Sequence, residues 1–407
     1  MKLGRHALIV FAVLLALHGL LGTFPKIMTA FGVGPSLVWF RDMHSMLAAS
    51  DSAAAGFDPS LKNPYDLGAE KHIYTDWWYA LSRFGLTRGD AFWLGGLVIA
   101  LFWLAVSFVL RVRSSRDAAW TLLLCASPPV WLAVNRANPD LLIFALLTPV
   151  VFLLAHRERW LRLLAPVPVA LATGLKFFPA LAGVVFLYPA ASRREGWQRW
   201  TLIAVLTAFL VWSLEDDVQR YLAASWVGRG LFTFGAAAIP IHFGVNIDAA
   251  LSLGRLLGVS LIAWFVWRQP ADAATAESMP SRDRMFFLMG AAVLGGSFFL
   301  TVGYLYKIIF AVWLLPSLLA RSAQSDAGAR AARLSLACLV GLVWVEGLVC
   351  AVISLWPGTV GPEDRVLLHR AAATIAGLLA WGFILPVMKM FGAELRSILP
   401  RFGSTRT

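Results

Sequence analysis

Residues 36–79 read SLVWFRDMHSMLAASDSAAAGFDPSLKNPYDLGAEKHIYTDWWY. The stretch carries Asp42, Asp51, Asp58, Asp66, Glu70 and Asp76 in a chain that is otherwise apolar and basic. It follows an apolar run over residues 7–24, long enough to begin a membrane-embedded body. A long carboxylate-rich segment beside a first apolar helix predicts one large outward loop, and chemistry at a membrane surface with a carboxylate as acid or base.

Composition agrees with that frame. The 407 residues are 59% hydrophobic and 14% charged, with a mean hydropathy of +0.71. Soluble domains carry about 25% charged residues. Apolar runs recur from end to end and do not alternate. Since backbone groups in hydrocarbon must pair internally, the expected class is an all-α polytopic membrane protein rather than a barrel.

The net charge of +12 does not indicate nucleic acid. Lys and Arg lie in short clusters between apolar runs: Arg111/Arg113/Arg116, Arg157/Arg159/Arg162, Arg193/Arg194/Arg199, Arg282/Arg284 and Arg321/Arg330/Arg333. That is the pattern of cytoplasmic loops facing anionic lipid. Cys125, Cys338 and Cys350 fall inside apolar segments and read as packing residues. Lys2 and Arg5 precede an apolar run without a small-residue cleavage site, so the first helix is expected to be uncleaved with its N-terminus inside.

Placing basic clusters inside predicts helices near 7–24, 90–110, 117–134, 139–155, 199–214, 248–267, 333–355 and 366–388. Two compressed hairpins, 163–190 and 285–320, lie between basic clusters. At about 14 residues per arm the first is too short for two spans. The sum is a single domain over 1–407 with about twelve membrane segments and both termini cytoplasmic. A first extracytoplasmic loop covers 25–89, a second 215–247, and a flexible cytoplasmic loop 268–284.

Asp42, just beyond the first helix and next to Arg41, reads either as a helix cap or as a carboxylate that takes a proton from a hydroxyl, with Arg41 supporting its charge. Asp51, Asp58, Asp66 and Asp76 read as turn and cap residues. Trp77, Trp78 and Tyr79 suit an interfacial belt or a sugar platform. Lys176 and Lys307 each sit at a hairpin apex, where an ammonium is costly unless it snorkels or meets an anion. Two such lysines would hold a phosphate or pyrophosphate. Asn135, Asn138 and Asp140 form a polar turn suited to capping or sugar contact. His242 is a candidate donor to substrate, Tyr304 and Tyr306 flank the second apex, and Glu346 is a lone carboxylate within an apolar helix. No Walker loop, metal-ligand spacing or nucleophile elbow occurs, so neither cofactor nor metal is expected.

Several of these motifs resemble the polytopic GT-C glycosyltransferases, glycosyltransferase family 87 most of all. They are the acidic residue after helix 1, Gly56-Phe57-Asp58-Pro59, the Asn135-x-x-Asn138-x-Asp140 turn, Leu175-Lys176-x-x-Pro179, and Tyr304-x-Tyr306-Lys307 leading to Leu314-Leu315-Pro316. Two positions depart from the pattern: Ser60 follows Pro59 where the family often has Tyr, and Gly303–Tyr306 is poorer in Asn and Asp. The resemblance implies inverting transfer of a hexose, mannose first, from a polyprenyl-phosphate donor in the outer leaflet to a lipid or glycan acceptor. It makes Asp42 the general base and places the enzyme in the inner membrane, facing the periplasm or exterior. The alternative is a transporter or flippase for a lipid-linked or anionic substrate, to which intramembrane lysines also belong. A polymerase or ligase of O-antigen fits less well, because its large outer loop comes late in the chain.

Overall fold

The computed structural model describes residues 25–33, 38–110, 114–223, 231–268, 280–356 and 361–398, with Val112, Val13, Leu14, Ala16, Leu17 and Gly19. Most of the predicted first helix (7–24), most of the loop at 268–284 and both termini lie outside the described residues.

The architecture is all-α. Among the described residues the only strands are β1 (Thr233–Phe234) and β2 (Gly303–Tyr304), an antiparallel pair with Thr233 opposite Tyr304. Five helices are long and apolar enough to span a membrane: Arg88–Val109, Ile247–Trp267, Ser281–Leu300, Gly328–Leu355 and Glu363–Ile398. Two bent pairs raise the count to seven, Ser115–Cys125 with Pro128–Arg136 (58°) and Leu305–Trp313 with Leu315–Ser322 (63°).

The expected twelve segments are therefore too many for the described residues. Apolar runs counted as spans are short or broken. Pro128, Pro129 and Pro316 stand at the bends, where a missing N–H and a ring clash interrupt the helical ladder. Pro139–Leu154 has 16 residues. The Arg193–Ser213 helix opens with Arg193, Arg194, Glu195 and Arg199, so its apolar remainder falls short of the roughly 20 residues a span needs.

The segment at 163–190 forms two short arms, Pro166–Leu175 and the 3₁₀ helix Phe178–Leu187, that pack on each other. Each arm of 10 residues reaches only about 15–20 Å against a core of about 30 Å. The second predicted hairpin is different. Its first arm is the full-length helix Ser281–Leu300, and only its second arm is bent.

The predicted first loop is no simple loop. It contains the helices Pro25–Ala30 and Arg41–Ala54 and the 3₁₀ turns Asp76–Phe84 and Arg88–Asp90. Trp78 donates through Nε1 to the carbonyl of Leu175 (3.1 Å), and Thr75 Oγ1 to that of Gly174 (2.6 Å). Any Cβ at Gly174 would lie within 2.2–2.5 Å of the Trp77 ring. The tryptophans thus form a wedge that packs this segment onto the short hairpin.

The core centres on Leu305–Trp313, every residue of which is buried. The Trp313 ring stacks on Phe144 at 4.7 Å and its Nε1 donates to Thr148 (3.1 Å). Cys125 and Cys350 are buried, and all three cysteines are free. Glu346 has no basic partner among the described residues; its Oε2 accepts the backbone N–H of Phe232 at 2.7 Å and so fixes the chain entering β1.

Pro139–Leu154 rises about 24 Å and separates two poles. At one, the basic clusters are partly neutralised by Arg162–Glu195 and by Arg284 and Arg321 on Glu394, while Arg116 donates to the Ser322 hydroxyl. The opposite pole carries Asp42, Asp140, Lys176 and Tyr304.

Candidate active site

Two turns with unusual backbone place the residues around Asp42. Phe40 enters the Arg41–Ala54 helix at φ 58°, and Ala137 ends Pro128–Arg136 at φ 43°. Non-glycine residues adopt this left-handed region at a cost of about 1–3 kcal/mol, commonly at functional sites. The Ala137 turn lets Arg136 and Asn138 approach the same carboxylate. Arg136 Nε and Nη2 meet Asp42 Oδ1 at 2.8 and 2.5 Å, and Asn138 Nδ2 donates to Oδ2 at 2.6 Å. Asn138 also accepts the Asp140 N–H, capping the next helix.

Asp42 makes no helix-cap bond. Nor is Arg41 its partner, since that guanidinium pairs with Glu70 at 2.9 Å. The Asn135 amide turns to the Met28 thioether instead of toward Asp42. Asp42 lines a polar cavity of about 920 Å³ together with Arg41, Arg136, Tyr74, Tyr304 and Tyr306.

The far wall of that cavity holds a second polar group. Arg220 pairs with Asp76 (2.7 Å) and Asp217, and the Asp76 N–H donates to Asp217 at 3.1 Å. These contacts join the Asp76–Phe84 turn to the Glu215–Ala223 helix. Burial raises the Asp217 carboxyl to about 6, against the opposing pull of Arg220. The other acids of the segment are structural: Asp51 pairs with Arg88, Asp58 binds Ser60, and Asp66 accepts from Ser45, Gly68 and Glu70.

Behind Ile73 and Tyr74 lies a second cavity of about 410 Å³, largely apolar, lined by Lys176, Lys307 and Arg255. Ile73 and Tyr74 belong to both linings. Lys176 is bound to the fully buried Asp140 at 2.6 Å and stands 4.9 Å from the Tyr74 ring. Asp140 is therefore a buried counter-ion for Lys176.

Lys307 differs. It is 8% exposed, lies 3.4 Å from Thr301 Oγ1 and 5.2 Å from the Phe178 ring, and has no carboxylate partner shown among the described residues. Phe178 also lies 5.6 Å from Lys176, so both ammonium groups flank one ring. Replacing Lys307 with Met is expected to leave thermal stability unchanged or raised, because a buried charge without an ion partner is removed. A large fall in Tm would contradict the unpaired assignment.

An apolar groove of about 510 Å³ runs between the short hairpin and Arg193–Ser213. It shares Phe177, Ala180 and Val218 with the lysine cavity, so the two adjoin.

His72, buried beside Tyr79, has Nε2 3.4 Å from the Thr75 carbonyl, and burial pushes its pKa down to about 4. The folded protein keeps this imidazole neutral, whereas the unfolded chain takes up a proton below about 6.5. Stability should therefore fall as pH drops from about 6.5 toward 4, by about 2 kcal/mol between pH 7 and 5. Melting curves of wild type and His72→Gln check this, the variant losing that part of the slope.

The structure thus gathers Arg41, Asp42, Tyr304 and Tyr306 at one cavity, with Asn138 buried behind Asp42 and bonded to it. Lys176 and Lys307 line the other, with Asp140 buried behind Lys176 as its ion partner. Asn135 is turned away, and His242 lines a separate cavity. Arg136, Tyr74, His72, Asp217, Arg220 and Arg255 were not singled out from sequence. Arg136 lay within the quoted polar turn, but nothing local announced the left-handed Ala137 that aims it. Among the described residues no group of three or more His, Cys, Asp or Glu is placed to hold a metal. Compared with known protein families, curated proteins and solved structures, the chain matches none of them.

Proposed function

We propose that this protein is an inverting glycosyltransferase that moves a hexose from a polyprenyl-phosphate donor to a hydroxyl of a lipid or glycan acceptor, on the extracytoplasmic face of a bacterial inner membrane. The observation that carries the reading is the wall of Ile73 and Tyr74 shared by a polar, carboxylate-bearing cavity and an apolar, cation-lined one.

In this reading the donor phosphate lies among Lys176, Lys307 and Arg255, and its isoprenoid chain follows the apolar groove. The sugar reaches past Tyr74 toward Asp42. Asp42 takes the proton of the acceptor hydroxyl as that oxygen bonds to the anomeric carbon, and the bond from that carbon to the phosphate oxygen breaks on the opposite face. The electron pair leaves with the polyprenyl phosphate, whose growing negative charge the cations stabilise. Asn138 and Arg136 hold Asp42 in place while one lone pair of Oδ2 stays available, since a carboxylate accepts about four hydrogen bonds.

The test is transfer of radiolabel from polyprenyl-phosphate mannose, then from other polyprenyl-phosphate hexoses, to endogenous acceptors in membranes containing or lacking the protein. Transfer that depends on the protein supports the reading. No transfer from any such donor removes it and favours a carrier for the lipid-linked sugar.

A further inference from the structure

A third cavity, of about 450 Å³, lies away from both of those described. It is enclosed by β1, the Ala238–His242 turn, the start of the Ile247–Arg268 helix and the first turns of Pro362–Ile398. Ile239, Ile241 and Val302 supply an apolar floor, while His242 and Arg370 supply the polar lining.

Arg370 is exposed and has no carboxylate partner shown among the described residues. It stands about 12 Å along its helix from Pro362, in surroundings rich in exposed apolar side chains. Phe243, Leu367 and Leu378 are 69%, 66% and 61% exposed. On a candidate membrane span such residues face lipid. A guanidinium in that setting is costly unless an anion meets it. The anion a bilayer offers there is the phosphate of its own lipids, and arginine binds phosphate through a two-pronged donor set.

We propose that this cavity binds the phosphate ester of a membrane phospholipid. Arg370 takes two phosphate oxygens, His242 donates to a third, and the glycerol and upper acyl methylenes lie against Ile239, Ile241 and Val302. The acyl chains then cover the exposed leucines. The proposal does not depend on the glycosyltransferase reading, because none of these residues lines the Asp42 or lysine cavities.

Native mass spectrometry of the full chain in dodecyl maltoside tests it, with phosphatidylglycerol, diacylglycerol and sn-glycerol 3-phosphate as probes. Wild type is expected to retain phosphatidylglycerol in preference to diacylglycerol, which lacks the phosphate. Arg370→Gln should hold one fewer phosphatidylglycerol, with affinity at that site reduced about 10-fold or more. Arg370→Lys should keep part of the binding, and His242→Gln should weaken it less. Both Arg370 variants replace an exposed side chain, and melting without lipid confirms their fold. Undiminished phosphatidylglycerol retention in Arg370→Gln, or equal retention of diacylglycerol, would overturn the proposal. Equally tight binding of sn-glycerol 3-phosphate would overturn the lipid as its source.

Discussion

Replacing Asp42 with asparagine is expected to lower sugar transfer by about 10²–10⁴-fold, the usual contribution of a positioned general base. The amide still offers an oxygen to Arg136, but its NH₂ faces the Asn138 amide that now donates to Asp42 at 2.6 Å. It also leaves Arg136, whose side chain is 30% exposed, without its counter-charge. A stability cost of about 1–3 kcal/mol follows from that lost hydrogen bond and unbalanced charge. Activity must therefore be compared at equal amounts of folded protein. Donor binding, proposed for the other cavity, should change little. Transfer above a tenth of wild type at matched abundance would remove Asp42 as the base. Arg136→Lys separates charge from aim: it keeps a cation beside Asp42 without the forked geometry, so it should fall between wild type and Asp42→Asn.

Replacing Lys176 with methionine should have the largest effect on stability. Its partner Asp140 is 0% exposed, and the two meet at 2.6 Å. Taking away one member of a buried pair strands the other charge, at about 3–5 kcal/mol. The double variant Lys176→Met with Asp140→Leu removes both charges and should recover most of that loss, measured by thermal melting in detergent. Transfer should stay low in the double variant, because the cavity has lost one of the cations proposed to meet the donor phosphate. A single variant as stable as wild type would mean that the pair does not form. A double variant that regains full transfer would place the donor phosphate elsewhere.

Lys176 and Lys307 mark the difference between what local sequence carries and what it does not. An ammonium at the apex of an undersized hairpin is legible from spacing alone, because hydrophobic length against bilayer thickness is a one-dimensional quantity. That Lys307 joins Lys176 at the Phe178 ring depends on packing segments more than 100 positions apart, and that Lys176 has its own buried carboxylate depends on a partner 36 positions away. The same applies to Asp42. Its place after the first apolar run was legible, but its cation is Arg136, delivered from 94 residues away, and not the neighbouring Arg41. Successive residues on a helix point to different sides, so adjacency in sequence predicted the wrong partner.

The count of spans erred for a related reason. Hydropathy scores apolar runs, and a buried short helix is as apolar as a crossing one. Prolines at 128, 129 and 316 bend such runs, and packing around Leu305–Trp313 accommodates them. An all-α membrane protein with a carboxylate-rich segment near its start was legible from residues alone, because composition and apolar length suffice for that. Which carboxylate Arg136 and Asn138 grip, and that Lys307 has no carboxylate partner among the described residues, follow from the packed structure alone. Only it decided that the polar and cationic cavities share a wall. Ion pairing and cavity shape arise between elements distant in sequence, and no local pattern encodes their meeting.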